Sequence, residues 1–197
     1  MTNQTNNINQ TNNINNINHT NHINHINQTN HINQTNHTNH TNHINHINKT
    51  AIITGASRGI GAAIAKKLAS CGYNLSLCCR NSSDRLKALA DELHCAYGIE
   101  VLCYTGNVGD FFFAKDMVTN TISHFGHIDV LINNAGISHI GLLSDMTPEE
   151  WNNIVAINLT GVFNFTKLVT PYMVADKCGR ILQISSVWGN VGASREG

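Results

Sequence analysis

The stretch TGASRGIG (Thr54–Gly61) places glycines at Gly55, Gly59 and Gly61 in the spacing G-x-x-x-G-x-G, with Ser57, Arg58 and Ile60 between them. Glycine lets a chain turn tightly and press its backbone N–H groups against a bulky anion. A helix that starts at such a turn adds unpaired N–H groups and the positive end of its dipole. The chemistry on offer is the grip of a pyrophosphate. A purely structural turn would use the same residues, so the turn gains meaning only between a strand and a helix. Other chemistry-bearing side chains stand in apolar surroundings. They are NNAG (Asn133–Gly136), Asn158 within AINLTGVF, and the serine pair Ser185–Ser186 that closes RILQISS.

The elements needed to position these residues are legible from apolar patterning. TAIITG reads as a short buried strand, followed after the glycine turn by a helix with Ile60, Ile64 and Leu68 at helical spacing. NLSLCC (Asn74–Cys79) is a second strand, on which Cys78 and Cys79 point to opposite faces. Ser83 is expected to cap a helix carrying Leu86, Leu89 and Leu93. A third strand spans Val101–Gly106, a helix runs from about Asp110 to Phe125, and a fourth strand spans Asp129–Asn134. Thr147-Pro148-Glu149-Glu150 is a capping box with Pro at the first helical position, opening a helix expected to reach Ala175. Arg180–Ser185 is the fifth strand. Alternating strands and helices predict an α/β fold, a doubly wound parallel sheet of five strands with right-handed crossovers.

Ahead of this lies a tract of another texture. From Asn3 to Asn48 an Asn stands at every third position, preceded by Thr or Ile and followed by Gln, Asn or His. A period of three makes neither an apolar helix face nor a strand face, so residues 1–48 are expected to be a disordered low-complexity leader to a domain over 49–197. Imidazoles recur at regular spacing in the tract (His19, His22, His25; His37, His40, His43, His46), which leaves metal capture open beside slippage of a short DNA repeat. No metal site is assigned. Twelve Lys and Arg balance twelve Asp and Glu, which offers nothing for nucleic acid or an anionic membrane. The six cysteines form no Cys-x-x-Cys, no run of eighteen apolar residues occurs, and no signal peptide opens the chain. The expectation is a cytoplasmic chain with buried, reduced thiols.

In order and spacing, TGASRGIG, NNAG, the Asn of AINLTGVF and ISS resemble the short-chain dehydrogenase/reductases, and among them the 3-oxoacyl-[acyl-carrier-protein] reductases. The resemblance implies a Rossmann-type fold with strand order 3-2-1-4-5. It implies that Gly55, Gly59 and Gly61 form the cofactor turn, and that Asn134, Ala135 and Gly136 hold the adenosine side. It makes Asn158 the catalytic Asn that anchors a water of a proton relay, and Ser186 the Ser that hydrogen-bonds the substrate carbonyl. Ser185 is then a strand-end serine. An acid at the end of the second strand would bind the ribose 2′-hydroxyl of NAD. Cys79 stands there, followed by Arg80, and with Arg58 this favours the 2′-phosphate of NADP(H), although Arg80 as a solvated loop residue stays open. Asn107, followed by Val108, occupies a place where the family has Asp against the adenine, so a weaker contact is expected.

The implied substrate is a ketone, free or carried on an acyl carrier, and the implied assembly is a homo-oligomer. In the family a Tyr-x-x-x-Lys pair follows the Ser and supplies the acid. At that spacing the pair would fall after Gly197, and none of Tyr73, Tyr97, Tyr104 and Tyr172 has a Lys four residues on. The expectation is a C-terminally truncated reductase without turnover of its own. Three other readings stay open: a reductase of a ketone on modified elongation factor P, a non-catalytic dinucleotide-binding remnant, and a His-rich metal buffer.

Overall fold

The structure, a computed structural model, describes residues 48–187. The disorder expected of the repeat tract, its histidines, and the residues after Val187 lie outside that span. Five strands form one parallel sheet in the order β3-β2-β1-β4-β5. They are β1 (Thr50–Ile53), β2 (Asn74–Cys79), β3 (Val101–Thr105), β4 (Val130–Asn133) and β5 (Arg180–Gln183). The helices are α1 (Gly59–Ala69), α2 (Ser83–Tyr97), α3 (Phe111–Phe125), α4 (Pro148–Val155) and α5 (Gly161–Ala175). The chain order reverses at β1, which pairs with β2 on one side and β4 on the other. That is the switch point of a doubly wound sheet, where a crevice opens at the carboxyl ends of the strands.

The two faces of the sheet carry two cores. Ala51, Ile53, Leu75, Leu77 and Cys79 pack against Leu86, Leu89 and Leu93 of α2 and the small residues of α1. Ile52, Cys78 and Leu131 face the other way, onto Met117 and Val118 of α3 and Phe165 and Val169 of α5. The alternation of a strand therefore separates Cys78 from Cys79 as expected. Burying each large side chain contributes about 1.5–3 kcal/mol. Ser76, wholly buried on β2, is matched by Thr121 of α3 at 2.7 Å between hydroxyl oxygens, and Thr121 in turn donates to the Met117 carbonyl.

α1 packs with small residues closest in, and one local expectation, the cap of α2, needs correction. On α1, Ile64 and Leu68 pack half-buried against the core beside the fully buried Gly61, Ala65 and Ala69, while Ile60 is 61% exposed at the cleft. Small residues stand closest in because they let the helix approach the glycine turn and the sheet closely. Ser83 is not a cap: it is the first residue of α2, Ser82 holds the cap position, and neither hydroxyl bonds a free N–H of the helix.

The capping box is present. Thr147 N–H donates to Glu150 Oε2 at 2.8 Å, and Glu150 N–H donates to Thr147 Oγ1 at 3.2 Å. From it α4 runs through a π turn (Ala156–Thr160) into α5 as one 28-residue helix. By length and composition this helix could cross a membrane; here Phe165 and Val169 seat it on the sheet. Hydrogen bonds from the Thr147 backbone and hydroxyl hold the Glu150 carboxyl below its usual range. A lowered carboxyl contributes stability above its unfolded pKa and loses it as pH falls through the folded one. Glu150→Ala should therefore lower the melting temperature at pH 7, with the gap to the parent narrowing in melts near pH 4. A gap that widens in acid would contradict the box.

Candidate functional site

A cleft of about 760 Å³ lies at the carboxyl ends of β1, β2, β3 and β4. Its floor begins with the turn after β1. Thr54 N–H donates to Ile132 O at 3.0 Å, and the Thr54 hydroxyl oxygen accepts from the N–H groups of Asn134 and Ala135, both at 3.0 Å. Thr54 thus ties the end of β1 to the segment after β4. The Asn134 carboxamide returns the tie, donating to Thr54 O at 2.9 Å and Gly55 O at 3.0 Å.

Gly55 combines a left-handed φ of +66° with close approach: a Cβ there would lie 2.9 Å from Ala135 Cα. At Gly61 a Cβ would meet Gly55 O at 2.4 Å and Asn134 Nδ2 at 2.6 Å. α1 therefore starts directly on the turn. Its N-terminus has no side-chain cap and no acid in its first turn, so its unpaired N–H groups and dipole remain available to an anion. Arg58, at its cap position, adds a cation. These features fit a pyrophosphate.

Every predicted cofactor residue except Gly61 lines this cleft: Gly55, Ser57, Arg58, Gly59, Ile60, Arg80, Asn107, Val108, Asn134, Ala135 and Gly136. Gly61 is buried behind them, where its missing side chain makes room for Asn134. The sequence reading missed Thr54 as a brace and Arg85 as a third guanidinium in the cleft. Arg85 could have been flagged: a cation in the first turn of α2 opposes the helix dipole and needs another reason to be there. Asn107 accepts from Gly109 N–H at 3.1 Å, which commits its oxygen to the loop and leaves its amide N–H groups for a ligand. Cys78 lines the floor, but burial pushes its thiol up to about 12, so it stays protonated and inert at neutral pH.

Asn158 sits in the π turn, where the helical bonding pattern is interrupted. Its carboxamide clamps one residue of the loop after β4, accepting from Ile137 N–H at 2.9 Å and donating to Ile137 O at 2.7 Å. Asn133 is buried and donates to Thr166 Oγ1 at 3.3 Å, and Asn164 donates to Val108 O and Gly109 O at 3.2 Å. The long helix is in this way tied to both loops of the cleft. Ser186 lies beyond β5, exposed, at the same carboxyl end of the sheet: Gln183 pairs with Asn133, and Ile184 N–H donates to Asn133 O at 2.9 Å. It does not line the cleft itself.

Residues 49–196 match the family model described as short chain dehydrogenase. The chain is similar, at 41% identity over 144 residues, to a 3-oxoacyl-[acyl-carrier-protein] reductase FabG of Staphylococcus epidermidis, covering 73% of this chain and 59% of that protein. It is similar in structure to a metagenomic short-chain oxidoreductase solved in complex with NADP (TM-score 0.71, 36% identity, 75% of this chain and 66% of that one). A further likeness is to an alcohol dehydrogenase from the archaeon Thermococcus sibiricus complexed with 5-hydroxy-NADP (TM-score 0.70, 33% identity, 75% and 62%). The chain thus spans less than two thirds of the length of the relatives it matches.

Proposed function

The chain belongs to the short-chain dehydrogenase family, and on that premise we propose that its cleft binds NADP(H) for the reduction of a ketone carried as a 3-oxoacyl thioester. When bound, the dinucleotide supplies the hydride. The turn Thr54–Gly61 and the open N-terminus of α1 hold the pyrophosphate, and Asn134 keeps the turn in shape. Arg58, Arg80 and Arg85 line the adenosine end, where guanidinium forks suit a 2′-phosphate. Ser186 donates a hydrogen bond to the substrate carbonyl oxygen, and Asn158 fixes the loop at Ile137 that borders the reacting end. The ketone reading draws on the likeness to the 3-oxoacyl reductases, and the free thiols of all six cysteines suit the cytoplasm. A second copy of the chain is the expected partner. Phe111 and Phe163, bridged by Lys167 at 5.8 and 5.5 Å from their ring centroids, offer it an apolar outer surface on α3 and α5.

The observation that carries the cofactor reading is the set of three arginines around a cleft with no carboxylate among its described lining residues. Fluorescence titration tests it. NADPH should bind at least about tenfold more tightly than NADH, the scale of one charge-assisted contact pair. Arg80→Asp should narrow or reverse that ratio. Equal affinity of the parent for the two dinucleotides would remove the charge argument.

A further inference from the structure

At the amino ends of the strands, opposite the dinucleotide cleft, a second cleft of about 610 Å³ opens beside the C-terminus of α5. Ligands of doubly wound sheets bind at the carboxyl ends, so this one needs its own account. Its lining sets the apolar side chains of Tyr73, Met173, Val174 and Ile181 beside the cations Lys49, Lys177 and Arg180. Lys49 Nζ stands 5.9 Å from the centroid of the Tyr73 ring. The one carboxylate among the lining residues is Asp129, which is buried and already committed. Its Oδ2 accepts from Thr50 N–H at 2.7 Å and lies 3.3 Å from His127 Nε2. Asp176, beside Lys177 in the chain, has an interaction of its own. Among the described residues, no acid lies within ion-pair distance of Lys177 or Arg180.

Lys177 is also where the backbone is strained. Lys177 N–H donates to Val174 O at 3.2 Å and Cys178 N–H to Met173 O at 3.1 Å, the paired bonds of a Schellman ending. That ending calls for a left-handed residue, usually glycine, yet Lys177 holds it at φ +51° and is the one non-glycine residue with positive φ among the described residues. A lysine kept in a glycine's place, on the rim of a cleft with unbalanced positive charge, is an observed strain that asks for a function.

We infer that this cleft binds a small amphipathic organic carboxylate, with its apolar body along Tyr73, Met173 and Ile181 and its head between Lys177 and Arg180. The guanidinium of Arg180 can donate two parallel N–H groups to a carboxylate, and the apolar side chains beside it favour a ligand with a hydrocarbon body over a bare anion. The inference does not rest on the reductase reading.

Calorimetric titration of the full chain with octanoate, octanol and inorganic phosphate tests it. Octanoate should bind saturably, one to one, at least about tenfold more tightly than either control, with saturating NADPH leaving its affinity unchanged. Arg180→Gln should weaken it about tenfold, the scale of a charge-assisted bond. Lys177→Gly separates function from structure: relieving the left-handed lysine should raise the melting temperature by about 2 °C while octanoate binding falls. Absent saturation, equal binding of octanol, or displacement by NADPH would each overturn the proposal. So would a gain in stability from Lys177→Gly with binding intact, or a dimer seated on this face that octanoate fails to dissociate in sedimentation.

Discussion

A polypeptide limited to these 197 residues is expected to bind NADPH and yet oxidise it with acetoacetyl thioester at least about 10²-fold more slowly than the same chain continued through a Tyr-x-x-x-Lys segment. Hydride delivery to a ketone builds negative charge on the carbonyl oxygen, and a positioned acid there contributes about 10²–10⁴-fold. Among the described residues, the titratable side chains that line the cofactor cleft are Arg58, Arg80, Arg85, Cys78 and Cys79. Guanidinium holds its protons at any working pH. Cys78 is sealed in the floor with its thiol pushed up to about 12, and Cys79, at the end of β2, is itself buried. The tyrosines stand elsewhere. Tyr73 lines the opposite cleft, Tyr97 ends α2, Tyr172 lies on α5, and Tyr104, on β3, is made a weaker acid by burial. Ser186 can give a hydrogen bond to the oxygen but not the proton that the alcohol needs. Steady-state NADPH oxidation by the two polypeptides, with fluorescence titration to establish that both bind the dinucleotide, measures the difference. Turnover by the shorter chain within about tenfold of the longer would mean that the acid comes from a residue assigned no such role here.

The central strands β1, β2 and β4 were readable because strands buried on both faces of a parallel sheet demand near-continuous apolar runs, and NLSLCC could be bounded to the residue. The capping box was readable because its two hydrogen bonds are local and need particular residue types at fixed offsets. The inward face of α1 was legible only in part. Helical spacing marks Ile64 and Leu68, which pack against the core, whereas Gly61, Ala65 and Ala69 are selected by closeness to the turn and the sheet. Ser82 and Ser83 are equally good caps by type, and the neighbouring chain decided between them. In the site, glycines and NNAG announce themselves through backbone demands. Thr54 and the partners of Asn158 do not, because what they touch lies on strands and loops far away in sequence, and Arg85 meets the cleft only through the fold. Thr54 reaches a residue 80 positions on, and Asn158 one 21 positions back. Charge against the helix dipole was the one local trace of Arg85.

Gly61→Val should abolish NADPH binding, and Gly61→Ala should lower it at least about tenfold while costing about 1–3 kcal/mol of stability, the range for an overpacked interior. The space at Gly61 is closed by backbone: a Cβ would stand 2.4 Å from Gly55 O and 3.0 Å from Ala56 Cα, neither the end of a side chain that could swing away. The third neighbour, Asn134 Nδ2 at 2.6 Å, holds Thr54 O and Gly55 O together, so moving it releases the brace between β1 and β4. Relief can come only by lifting α1 off the turn. That displaces the N–H groups at its uncapped end from the anion they should meet, and a misplaced donor loses strength steeply with angle and distance. Gly59→Ala is the informative companion. A Cβ there meets nothing within 4 Å, so only the left-handed φ of +56° opposes it, at about 1–2 kcal/mol, and the shape of the cleft is kept. Melting curves and NADPH titrations of both variants should therefore diverge, with Gly59→Ala losing mostly stability and Gly61→Ala losing both. Affinity within about twofold of the parent for Gly61→Ala would mean that the turn yields freely and that its close approach to α1 does not shape the anion site.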